Sequence, residues 1–72
     1  MKVSYDKEAD AVYIEIAEGE ADGVIEVKEG INIDVSKNWN ILGIELLDAS
    51  KKISLNSLFS YQISADLFKA TA

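Results

Sequence analysis

Cysteine, histidine, proline and arginine are all missing from this chain. Without cysteine there is no disulfide and no thiolate metal site. Without histidine, the usual general base near neutral pH and the commonest metal ligand are both gone. The absence of arginine bears on partners. Nucleic-acid binding needs cationic side chains that displace counterions from phosphates. A chain with 13 acids against 7 lysines, at net charge −6, is a poor candidate for it. Long apolar runs are lacking too. None approaches the about 20 residues that span a bilayer. The start, Met1-Lys2-Val3-Ser4, carries no apolar signal core. The expectation is a cytoplasmic protein with no membrane, nucleic-acid or cofactor partner.

What remains is small, acidic and rich in apolar residues. Seventy-two residues make one domain, 1–72. A domain of about this size buries only about 60% of the surface its unfolded chain exposes. Apolar residues nevertheless make up 49% of the sequence. Part of that apolar surface is expected to face another subunit, making a homodimer. The acid excess keeps such a chain soluble; it also suits a small basic protein partner.

The first two-thirds alternates with period two, the signature of half-buried strands. Val3 and Tyr5 share one face of a first strand. Val12, Ile14 and Ile16 share a face of the second, Ile25 and Val27 of the third. A fourth row is Ile31, Ile33 and Val35; a fifth is Leu42, Ile44 and Leu46. Residues 6–10, Lys28-Glu29-Gly30 and residues 36–40 supply turns. Gly43 lies inside the fifth strand, where glycine marks a bulge or a close backbone approach. Strands joined by short connections read as an antiparallel meander over 2–48. After Ala49, Leu55, Leu58, Phe59, Ile63 and Leu67 recur at helical spacing, with Ser54 a candidate cap. Phe59, Tyr61 and Ile63 also alternate, so residues 60–64 read as a break or a short strand. The favoured fold is α+β: four to five antiparallel strands, with a helical C-terminal segment over 50–70 packed on one face.

Four features invite chemistry. Asp6, Glu8 and Asp10 could present oxygens to calcium or magnesium. The competing reading is turn chemistry, with Asp side chains bonding backbone amides. The outward row Glu15, Glu26, Asp34 and Glu45 could hold an acid/base pair if burial separated its pKa values. A one-sided sheet has a charged outer face in any case. Ser50 beside Lys51 and Lys52 invites a nucleophile-and-base reading, which needs a desolvated lysine and an oxyanion hole. At a strand-to-helix junction, Asp48 or Ser50 more simply caps the next turn. Trp39, the single tryptophan, sits among turn residues, either as an exposed hot spot or folded over the sheet edge.

Two motifs carry a family resemblance. The first is Tyr5-Asp6, Glu8, Asp10-Ala11 and Tyr13-Ile14; the second is Gly43-Ile44-Glu45 with Asp48-Ala49-Ser50. Gly30 and Asp34 lie between them. On these residues the chain resembles a family of small prokaryotic β-rich proteins known as domain of unknown function 2283. The likeness runs from about residue 2 to about residue 53. Lys7 stands where the family commonly has proline, and Val12 where it has leucine. Residues 36–40 replace an Asp/Gly-rich hairpin. The resemblance implies no established activity. Relatives encoded beside small basic proteins that resemble ribonuclease toxins imply an antitoxin-like role. The resulting expectation is a non-enzymatic protein-interaction module. Its partner-binding candidates are Trp39, Glu45, Asp48, Tyr61 and Phe68. The alternatives are a metal-binding or hydrolytic protein using Asp6, Glu8, Asp10 and Glu45, and a purely structural homo-oligomer subunit.

Overall fold

A computed structural model describes residues 1–64. Five strands form in chain order: β1 (Lys2–Asp6), β2 (Ala11–Glu15), β3 (Gly23–Lys28), β4 (Ile31–Val35) and β5 (Ile41–Leu47). A one-turn helix, α1 (Ala49–Lys52), and a 3-10 turn, Leu55–Phe59, follow. All strand pairs are antiparallel, in one sheet of order β1-β2-β5-β4-β3. The fold is thus a small α+β arrangement, but not a simple meander. After β2 the chain leaves the sheet's growing edge, builds β3, β4 and β5, and returns β5 to pair with β2.

Register explains the alternation. Val3 pairs with Ile14, Ile14 with Ile44, and Ile44 with Ile33, which in turn pairs with Ile25. Directly paired residues share a face, so one apolar row crosses all five strands. Tyr5, Val12, Leu46 and Ile31 form a second row beside it. The opposite face carries the row Ser4, Tyr13, Glu45, Asn32 and Glu26, and beside it Lys2, Glu15, Gly43, Asp34 and Val24. One face is therefore apolar up to the irregularity between Glu26 and Lys28, where Lys28 comes opposite Ile31, and the other is acidic.

Cover for the apolar face is incomplete. Among the described residues, only Val12, Val35, Leu42 and Ala49 are buried apolar side chains. Val12 has no exposure, and burying a valine contributes about 1.5–3 kcal/mol. Ile14, Ile31, Ile33, Ile44 and Leu46 are half-buried. Among the described residues, the segment after β5 is helical only in its two short turns. Ser54 precedes the 3-10 turn without a side-chain cap bond, and Ser60 has already returned to extended geometry. Asn56, Ser57 and Ser60 are poor helix formers, and a short helix does not offset its nucleation cost. Leu58 and Tyr61 line a shallow depression with Met1 and Val3, so this tail reaches the β1 side of the sheet. Leu67 and Phe68 lie outside the described residues.

Candidate functional site

The two sequence motifs meet in space. Asp6 closes the β1–β2 turn, its Oδ1 accepting from the Glu8 and Ala9 N–H groups at 3.0 and 3.2 Å. Asp10 ends that turn in left-handed geometry, at φ 50°. Its carbonyl accepts from the Ala49 N–H at 2.8 Å. Its carboxylate accepts from the Ser50 hydroxyl at 2.7 Å, from the Ser50 N–H at 3.1 Å and from the Tyr5 hydroxyl at 2.9 Å. Asp10 therefore caps α1 from 40 residues away. Asp48, the residue preceding α1, makes no side-chain cap bond and is itself left-handed, at φ 50°. The Ser50 hydroxyl bond is the main reason the Asp10 carboxyl sits below the usual carboxylate range. Desolvation opposes it, while the Tyr5 hydroxyl, the Ser50 N–H and the Lys51 charge act with it. The same contact with Asp10 raises the Tyr5 phenol.

This clasp bears on two of the chemical readings. The Ser50 proton points into a carboxylate, and Lys52 turns back to donate to the Leu47 carbonyl, so no serine–lysine pair forms between them. Asp6 and Asp10 are engaged with backbone and hydroxyl donors. Among the described residues, no group of three or more acids could hold a metal ion.

A second arrangement lies on the acidic face. The Tyr13 hydroxyl crosses β5 and donates to Asp34 Oδ2 on β4 at 2.8 Å. It passes directly over Gly43. A Cβ at that position would fall 2.0 Å from the Tyr13 hydroxyl oxygen and 2.4 Å from Cζ. The glycine of the fifth strand is thus a close approach, and a register shift between Asp34 and Val35 adjoins it. Two residues further along the same face, Asn32 Nδ2 donates to Glu45 Oε1 at 3.1 Å. The Tyr13 phenol is raised, first by its bond to Asp34, then by desolvation and the charges of Asp34, Glu15 and Glu45. Beside it opens a shallow depression of about 390 Å³, lined by Tyr13, Glu15, Glu18, Gly19, Asp34 and Leu42 among others.

The described members of the expected binding set do not form one patch. Trp39 stands in the β4–β5 turn, left-handed at φ 66° and 73% exposed, its N–H held by the Ser36 carbonyl at 2.9 Å. That turn lies at the sheet end where Asp34 and Glu15 border the depression. Glu45 is half-buried on the same acidic face. Asp48 lies beyond the other end of β5, exposed. Tyr61, 72% exposed, lies beside Met1 and Val3 across the sheet. Phe68 is outside the described residues. Tyr13 stood in a family motif, but neither it nor Asn32 was given a site role from the sequence. An outward aromatic in one strand and a glycine in another is the signal that could have found Tyr13.

Fold and site together define a small acidic sheet protein, with one organised polar face and a clasp joining its first turn to its last strand. The chain belongs to the family described as "Protein of unknown function (DUF2283)", whose model matches residues 2–50. The match ends at Ser50, the residue that completes the clasp. Neither the curated proteins nor the solved structures contain a match. No helix among the described residues is long and apolar enough to cross a membrane.

Proposed function

We propose that this protein acts as a non-enzymatic interaction module that presents its acidic sheet face to a small basic protein. The observation that carries the reading is the placement of Glu15, Glu26, Asp34 and Glu45 on one face. Asp34 and Glu45 are held in place by Tyr13 and Asn32, while Glu26 is exposed. Fixed carboxylates on a rigid strand ladder give a complementary field without an ordering cost on binding. Trp39 adds an exposed aromatic anchor at the end where the depression opens. An antitoxin-like role, with the acidic face masking a basic ribonuclease-like toxin, is the specific form of this proposal.

The test is to read the genes beside its own, express any that encodes a small basic protein, and follow complex formation with this protein by calorimetry. Micromolar or tighter binding that weakens with added salt is expected. Combining Glu15→Gln with Glu26→Gln should weaken it at least about tenfold, chiefly through slower association. No binding at micromolar concentration, or binding indifferent to both salt and these changes, defeats the proposal.

A further inference from the structure

From the uncovered apolar face we infer that the protein is a dimer, in which a second copy seats on the β3–β4 half of that face. The inference is independent of the preceding reading, because it uses the other side of the sheet. Its first support is area. The chain exposes 5903 Å². A compact monomer of 7.9 kDa exposes roughly 4,400 Å². The excess is about 1,500 Å², and about 600 Å² remains if the eight residues after Ser64 are given the full area of an unfolded chain. A standard interface takes about 800 Å² from each partner, which falls inside that range.

Charge says where the copy sits. At net charge −6 two copies repel over most of their surface. The apolar face carries no acid, and Lys28, opposite Ile31 past the irregularity in β3, is its one charged ladder residue, so contact there avoids the acid-against-acid repulsion of the other face. On the β1 side, Leu58 and Tyr61 already lie beside Val3. On the β3–β4 side Ile25 is 39% exposed and Ile33 half-buried. The chain's own last eight residues are a weaker occupant. They offer Leu67 and Phe68 as their only large apolar side chains, against an apolar face that spans five strands. Two one-sided sheets stacked through their apolar faces form a sandwich about 10 Å thick, and a two-fold axis makes the contact self-complementary.

Sedimentation equilibrium of the full chain tests this. The expected mass is twice 7.9 kDa at tens of micromolar. Ile25→Lys should raise the dissociation constant at least about a hundredfold, because the symmetry places the new charge in the contact twice. Val24→Lys, one residue away on the acidic face, should leave it unchanged. Leu67→Ser combined with Phe68→Ser should also leave it unchanged. If Ile25→Lys fails to fold, the wild type still decides. With a soluble paramagnetic probe, the Ile25 and Ile33 methyls should become protected as concentration rises, and the Val24 methyls should not. A mass of 7.9 kDa up to millimolar concentration overturns the inference. So does a dimer whose Ile33 methyl stays accessible, which would be paired through sheet edges. A dimer abolished by the Leu67 and Phe68 changes, or by Val24→Lys, overturns it equally.

Discussion

Replacing Gly43 by alanine should destabilise the protein, and removing the Tyr13 ring should reverse the sign. Gly→Ala at an unstrained site gains about 0.4–1 kcal/mol by restricting the unfolded chain. Gly43 has no positive φ, so that gain applies to it. Against it stands the clash. A Cβ would meet the Tyr13 hydroxyl oxygen at 2.0 Å, Cζ at 2.4 Å and Cε2 at 3.0 Å. The ring must swing away, giving up its bond to Asp34 at 2.8 Å. Overpacking of this kind costs about 1–3 kcal/mol. The net expectation for Gly43→Ala is a loss of about 1–2 kcal/mol, or roughly 7–13 °C in Tm for a domain of this size. In a Tyr13→Ser background the same change should stabilise by about 0.5 kcal/mol. The coupling between the two sites is then about 2 kcal/mol. Tyr13→Phe should not rescue the alanine, because Cζ remains in the way. Urea unfolding followed by far-ultraviolet circular dichroism, on all four members of the cycle, measures this. If Gly43→Ala is as stable as the wild type while Tyr13 is present, or if the coupling is near zero, the geometry assigned to this face is wrong.

Two further outcomes follow from the clasp. Asp10 has a lowered carboxyl pKa in the folded protein, so its contribution is fully present above the unfolded value of about 3.9 and fades as pH falls through the folded one. Asp10→Asn should therefore lower the urea midpoint at pH 6, and the gap to wild type should narrow below about pH 4; a gap independent of pH refutes the assignment. Because Asp6 and Asp10 are engaged with amides and hydroxyls, millimolar calcium or magnesium should leave Tm unchanged, and a clear rise would favour the metal-binding reading.

Much of the sheet was legible in the sequence, because alternation states which side chains share a face. Val12 with Ile14, and Ile31 with Ile33, fall on the apolar side as their spacing requires. Alternation is silent on which strand neighbours which, so the return of β5 to β2 went unread. The helical spacing of Leu55, Leu58 and Phe59 was real but short-lived. It yields one 3-10 turn, and Phe59 ends 89% exposed. Periodicity reports which residues would share a stripe; it does not show that the serine-rich segment between them can sustain a helix. For the site, Gly43 was readable as a close approach, but its visitor was not. Asp10 and Ser50 each stood out in a motif, yet 40 residues separate them, and only the β2–β5 pairing brings them together.

That pairing has a mechanical consequence. The sheet consists of a hairpin, residues 2–15, and a three-stranded unit, residues 23–47, joined along a single seam where β2 meets β5. Each part has its own local turns, and the connection over residues 16–22 is the only covalent tie between them. A chain cut within that connection leaves two fragments that each carry one side of the seam and one half of the Asp10–Ser50 latch. The same layout gives one molecule a route to lend its opening hairpin to a neighbour, with every seam contact kept.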